Sequence, residues 1–200
     1  MVATSQVPAE FEQHNNFIFT LPGFLSAQEC QSVIDVAAGQ LEKSSVLGAQ
    51  KEGYRTSSST WLYPDALPEV IARIEALVDR ITGLPRENQE ALQVVRYDVG
   101  EEYKTHEDFW HPDTDYYDEQ MSRGGQRVWS IMIYLNTVPR GGHTRFTRLN
   151  IDIAADPGKV LAWKNTLDGE LNFDSSHAGM PVEEGCKWVA IKWVRESEFT

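Results

Sequence analysis

The sequence is short of cysteine, short of basic side chains and without any long apolar run, and each shortage removes a class of protein. Only two cysteines occur, Cys30 and Cys186, far apart and without CxxC or zinc-type spacing. A disulfide scaffold and a thiolate metal site are thereby excluded, and two free thiols are expected. Lys and Arg number 18 against 30 Asp and Glu, for a formal charge of −12. Such a balance repels polyphosphate, and no stretch interleaves basic with aromatic residues, so nucleic acid is not expected as a partner. An acidic excess of this size is also an ordinary means of staying in solution. No apolar stretch approaches the roughly 18 residues of a membrane helix. The opening MVATSQVPAEFEQHNN has neither a basic nor an apolar leader region. No membrane partner is expected, and a cytoplasmic chain is.

What is present suffices for one core. With 200 residues, 41% hydrophobic and 10% aromatic, the expectation is a polar N-terminal tail over 1–16 and one domain over 17–200. FIFTLPGFL reads as a short strand entering a turn. Ser26 followed three residues later by Glu29 is a capping box, and Val33, Ile34, Val36, Ala37 and Leu41 then recur at helical spacing. A second helix fits LPEVIARIEALVDRITGL, with Pro68 in its first turn, Gly83 at its end and Val70, Ile71, Ile74, Leu77, Val78 and Ile81 as its stripe. From Leu92 the pattern changes to β-rich runs, LQVVRYDV, VWSIMIYLNTV, KVLAWKN and KWVAIKWV, punctuated by turn residues. Helices first and strands later predict a mainly β protein with supporting helices. His111 to Gln126 has no sustained period and reads as a long loop, of the kind that often serves as a lid.

Chemistry concentrates after Gly100. His106 and Asp108 are two residues apart, which on an extended chain places both on one face. His177, from a distant β segment, is available as a third ligand. Two imidazoles and one carboxylate on one octahedral face leave positions for co-substrate and O2, the arrangement of non-haem iron(II) oxygenases. Ten residues after His177 comes Lys187, beyond the turn-like EEGC. A hairpin there would set its strand beside that of His177. Period two places Lys187, Val189, Ile191 and Trp193 on one side of that strand. An ammonium on an apolar inward face requires a counter-anion, and a carboxylate of a bound co-substrate would supply it. Trp193 falls about 20 Å further along, towards a pocket mouth.

YDVGEEYKTHED, GQRVWSIMIYLN, GGHTRF and HAGMPVEEGCKWVAIKWV, in this order, resemble the procollagen-type prolyl 4-hydroxylase branch of the iron(II)/2-oxoglutarate-dependent dioxygenases. The similarity runs from about Leu21 to Arg195 and is densest after Leu92. RTSSSTWL, from Arg55 to Leu62, also resembles an Arg-Thr-Ser segment that precedes a mobile substrate-covering loop in that family. The resemblance implies a distorted double-stranded β-helix, a cupin-like jelly roll. It implies hydroxylation of prolyl residues in a peptide or protein, coupled to decarboxylation of 2-oxoglutarate to succinate and CO2, with Fe(II), O2 and ascorbate. It makes His106, Asp108 and His177 the iron ligands and catalytic centre, and Lys187 the anchor of the 2-oxoglutarate carboxylate. Tyr97 and Thr144 match positions that help seat the co-substrate, as does Ser130, where the family usually carries Thr. Tyr103, Arg127 and Trp193 match positions near the target proline.

The chain departs from the family in GGHTRFT, where His143 replaces an acidic residue and Thr147 a proline. His143 thereby competes as a ligand, and the reading places it outside the metal shell, since His106 and Asp108 already supply a same-face pair. The other readings are a dioxygenase of free amino acids or of another side chain, and a jelly roll that binds without turnover. A zinc hydrolase fits less well, because it does not require a carboxylate-binding lysine.

Overall fold

The protein is described by a computed structural model over residues 7–45 and 53–200. Ser26 Oγ accepts from the Glu29 amide at 3.2 Å while the Glu29 carboxylate accepts from the Ser26 amide at 2.8 Å, so the capping box starts helix α1, Ala27–Ala38. Helix α2, Pro68–Thr82, has proline in its first turn and ends at Gly83, whose φ of 68° is the left-handed cap that glycine adopts without strain. Val33 and Ala37 of α1 and Ile71, Ile74, Val78 and Ile81 of α2 are fully buried against one face of a large sheet.

That sheet has eight antiparallel strands, in the order Glu12–Gln13, Ile18–Leu21, Val160–Lys164, Arg127–Tyr134, Lys187–Arg195, Leu92–Tyr97, Ser58–Leu62 and Glu42–Lys43. A four-stranded antiparallel sheet, Ile151–Ile153, Thr144–Phe146, His177–Gly179 and Tyr103–His106, belongs to a second core with Phe17, Met132, Phe146, Trp163 and Ile191. Two facing sheets with helices outside one of them form the distorted double-stranded β-helix implied by the sequence. The Lys187–Arg195 strand divides as period two requires. Val189, Ile191 and Trp193 enter the core between the sheets, and Trp188, Ala190 and Val194 enter the core under the helices.

Four local readings change. Part of the stretch taken as a polar tail is folded: Phe11 is buried and Glu12–Gln13 pairs with Phe19 and Thr20. The long loop contains a six-residue helix, α3, Tyr117–Ser122, too short to show helical periodicity. The strands carrying His177 and Lys187 are not a hairpin. His177–Gly179 pairs within the small sheet, and Lys187–Arg195 lies between Leu92–Tyr97 and Arg127–Tyr134 in the large one, so the two residues approach across the space between sheets. After Leu62 the chain enters α2 within a few residues, leaving no room there for a covering loop. Residues 46–52, ahead of Arg55, lie outside the described residues. No helix among the described residues is long and apolar enough to cross a membrane.

The entry to α1 is fixed to the turn before the Val160–Lys164 strand by Gly158, whose carbonyl accepts from the Phe24 amide at 2.8 Å. Its φ is +76°, and a Cβ there would stand 1.9 Å from the Leu25 carbonyl oxygen. Gly158→Ala should therefore destabilise the fold by at least about 2 kcal/mol, read as a lower urea midpoint at unchanged slope.

Candidate metal centre and substrate cleft

His106 closes the Tyr103–His106 strand directly opposite His177 in the antiparallel register, the position at which cross-strand side chains meet. Their ring centroids are 4.3 Å apart. Asp108 arrives differently from the alternation expected. The strand ends at His106, and a bend brings the carboxylate round to within 3.7 Å of His106 Nε2 and 3.9 Å of His177 Nε2. Leaving the strand lets Asp108 reach Ser130 Oγ, which donates to Asp108 Oδ2 at 2.6 Å and holds the bend.

Both imidazoles have their tautomers set from behind. His106 Nδ1 lies 2.8 Å from the Lys104 carbonyl and His177 Nδ1 lies 3.0 Å from the Ser175 carbonyl. A carbonyl only accepts, so each Nδ1 carries a proton, which leaves Nε2, the atom turned toward Asp108, as the one available to a metal. Burial, with His177 adjacent, pushes the His106 pKa down to about 3 against the opposing pull of Asp108, keeping the ring neutral. Burial alone would raise the Asp108 pKa, but the adjacent imidazoles, Arg127 and the Ser130 hydrogen bond outweigh it and hold the carboxyl below its usual value. Two imidazoles with Nε2 turned inward and one carboxylate, their ligand atoms all within 4.8 Å of one another, fit a divalent transition metal bound on one face. Among the described residues this is the only such group. His143 lies apart from it, 3.4 Å from Asp152 on the outer strands, beside the Arg145–Asp152 ion pair.

The three ligands open into a cleft of about 1260 Å³ between the sheets. Lys187 lines it, 2% exposed, with its ammonium 5.4 Å and 5.7 Å from the ring centres of Tyr97 and Tyr134. It has no acidic partner among the described residues, and burial pushes its pKa down to about 7. A buried cation facing a cavity fits the far carboxylate of a dicarboxylate such as 2-oxoglutarate. Tyr97 lines the same wall, directly across the strand pair from Lys187. Thr144 also lines it, with Tyr134 Oη donating to its Oγ1 at 2.8 Å. Ser130, expected to seat the co-substrate, does not line the cleft; it is fully buried and its proton is committed to Asp108.

Tyr103 stacks on His106 at 3.5 Å, with the Arg55 guanidinium 4.9 Å from its ring centre. Arg127 is 3.9 Å from the ring centre of Trp193 and 4.5 Å from that of Trp110. Its Nε and Nη2 donate to Glu90 at 2.6 and 2.7 Å, and Arg195 Nε donates to the same carboxylate at 2.6 Å. Trp61, 39% exposed, extends the aromatic wall 6.0 Å from Trp193. Sequence reasoning missed Glu90, Trp110 and Arg195. Only Arg195 left a signal, being the next odd-numbered position after Trp193 on the strand side that faces the cleft.

Burial raises the Glu90 pKa, and Arg127 and Arg195 more than reverse it, so the folded carboxyl titrates below its usual value. A depressed carboxyl stabilises the fold fully above the unfolded pKa of about 4.3, and that stability is lost as pH falls through the folded value. Glu90→Gln, which leaves two guanidinium groups without their anion, should cost about 3 kcal/mol at pH 7. The gap from the parent protein should narrow below about pH 4 in urea melts taken across pH.

A sequence model of the 2OG-Fe(II) oxygenase superfamily matches residues 92–195. The chain is 33% identical over 207 residues to a probable prolyl 4-hydroxylase 6 of Arabidopsis thaliana, covering 90% of this chain and 69% of that one. It is 32% identical over 194 residues to a putative prolyl 4-hydroxylase of Acanthamoeba polyphaga mimivirus, covering 96% and 79%. The crystal structure of a viral collagen prolyl hydroxylase from Paramecium Bursaria Chlorella virus-1, in complex with 2OG, superposes with a TM-score of 0.73 at 27% identity, over 90% of this chain and 97% of that one. The chain belongs to the 2OG-Fe(II) oxygenase superfamily, in its prolyl 4-hydroxylase branch.

Proposed function

We propose that this protein hydroxylates prolyl residues within a peptide or protein, using Fe(II), 2-oxoglutarate and O2 and releasing succinate and CO2, with ascorbate as the reductant that restores activity after unproductive turnover. The observation that carries the reading is the conjunction, in one cleft, of the His106, Asp108 and His177 ligand face with the ammonium of Lys187, which has no acidic partner among the described residues. Iron with 2-oxoglutarate and O2 supplies an oxidant able to attack an aliphatic C–H bond. The protein's own residues do the rest. His106 and His177 present their Nε2 atoms, each ring held through Nδ1 by a backbone carbonyl, and Asp108 adds one negative charge. Lys187 takes the far carboxylate of 2-oxoglutarate, with Tyr97 and Thr144 shaping the wall around it. Tyr103 and Trp193 offer flat apolar faces for a pyrrolidine ring near the metal, and Arg127 keeps N–H donors for a peptide carbonyl. Positioning of this kind selects which C–H is oxidised.

The size of the cleft favours a peptide over a free amino acid. About 1260 Å³ exceeds the few hundred to roughly 1,000 Å³ that suits one small ligand. His177→Ala should abolish metal-dependent succinate release while leaving the circular dichroism spectrum unchanged, and normal turnover in that variant would refute the site. Mass spectrometry of a proline-rich peptide incubated beside free proline should show a 16 Da gain on the peptide alone.

The Lys187 pKa near 7 makes co-substrate binding pH-dependent. Only the ammonium pairs with a carboxylate, so above about pH 7 the pocket must take up a proton as 2-oxoglutarate binds. Affinity should hold below pH 7 and weaken up to about tenfold per unit above it. Calorimetry in buffers of different ionisation heat should report that uptake in the parent protein and none in Lys187→Ala.

A further inference from the structure

The strand Val160–Lys164 and the residue after it stand behind the metal centre without entering the cleft, yet they reach two of its three ligands. The Trp163 ring lies 4.7 Å from that of His177 in an edge-on arrangement. Asn165 Nδ2 donates to Ser130 Oγ at 2.9 Å, and Ser130 Oγ donates to Asp108 Oδ2 at 2.6 Å. Asn165 and Ser130 are both fully buried. Resting on the reading of Asp108 as a metal ligand, we propose that Asn165 is a positioning residue that acts through Ser130. Its amide fixes the direction of the Ser130 hydroxyl and so holds Asp108 at the angle at which its other oxygen meets a divalent metal.

Proton counting gives the relay its direction. A hydroxyl has one proton and two lone pairs, and a carboxylate has acceptors only. Ser130 Oγ stands 2.6 Å from Asp108 Oδ2, and a carboxylate oxygen has no proton to give back, so the Ser130 proton goes to it. The oxygen of Ser130 then has only lone pairs to offer Asn165, and the amide must turn its NH2 inward. With the amide reversed, two acceptors would compete for one proton, and the hydroxyl could rotate away from Asp108. Asn165 is itself tied down on both sides. Its backbone N–H donates to the Val128 carbonyl at 2.9 Å, and its backbone carbonyl accepts from the Asn172 backbone N–H at 2.9 Å, while its side-chain Oδ1 has no partner among the described residues. Asn172 Nδ2 closes the turn by donating to the Lys164 carbonyl at 2.9 Å. The direction of the metal-binding carboxylate is thus set by backbone geometry three residues of contact away.

The test is metal binding itself, with manganese(II) titrated into the otherwise metal-free protein by calorimetry, without 2-oxoglutarate or peptide. Ser130→Ala and Asn165→Leu should each weaken manganese binding by about tenfold or more, and Ser130→Thr, which keeps the hydroxyl, should stay within about threefold of the parent. Because Asn165 acts only through the hydroxyl, the double variant should bind no worse than Ser130→Ala alone, to within about twofold. Parent-like binding by Asn165→Leu, or losses that multiply in the double variant, would overturn the relay. Should Asn165→Leu fail to fold by circular dichroism, Ser130→Ala against Ser130→Thr still decides, since equal binding by those two removes the hydroxyl from the scheme. A parent protein that binds no manganese would instead defeat the proposed function, whereas a binding parent with indifferent variants defeats only the relay.

Discussion

An ionised carboxylate buried between two imidazoles is the constraint to which the rest of the structure answers. Asp108 is 6% exposed and, among the described residues, has no Lys or Arg in hydrogen-bond contact. A lone buried charge is expensive, and here most of the surrounding architecture reads as compensation. The chain leaves its strand after His106 so that Asp108 reaches the Ser130 hydroxyl. Two backbone carbonyls fix the imidazole tautomers so that their lone pairs, and not their protons, face the same point. A divalent metal bound there would satisfy all three acceptors at once, so the polypeptide is shaped for a bound state.

The other wall of the cleft is built on the opposite logic. Glu90 accepts from two guanidinium groups, and both of those lie against the ring of Trp110. Charge there is balanced, hydrogen-bonded and packed, giving a rigid rim on which an extended chain can lie. The side chains of His106, Asp108 and His177 and that of Lys187 line the floor with charge unspent, and the rim spends its charge internally. A cleft arranged this way concentrates its free valence where chemistry is proposed and leaves shape and aromatic surface to recognise the rest of a substrate.

The parts of this arrangement that were legible in the sequence are those encoded by local pattern. Period two assigned the faces of Lys187–Arg195, and period 3.6 with caps set α1 and α2 to within a few residues. Motif spacing brought His106, Asp108 and His177 to one place and left His143 out. What escaped depends on contacts between distant segments. Glu90, Asn165 and Ser130 have side chains whose meaning comes from a partner dozens of residues away, and nothing beside them in sequence announces it. The hairpin inferred between His177 and Lys187 failed for a related reason. A Gly-containing turn fixes that the chain reverses, but not which of two facing sheets receives the next strand.

Lys187 and Lys192 show how a buried charge that serves chemistry is told from one that serves the fold. They are five residues apart on the same strand, 2% and 3% exposed, and burial depresses the pKa of both. Composition and exposure do not separate them. Partner accounting does. Lys192 Nζ donates to Glu75 at 3.1 Å and to the Glu90 carbonyl at 2.9 Å, on the helix side, and nothing is left for a ligand to complete. Lys187, on the cleft side, has two aromatic faces near it and no anion among the described residues. Evolving a lysine into the first environment adds an internal ion pair; keeping one in the second lowers stability unless something from outside the chain arrives. The odd spacing between the two residues puts them on opposite faces of one sheet, so a single strand holds a structural cation on one side and an open binding site on the other.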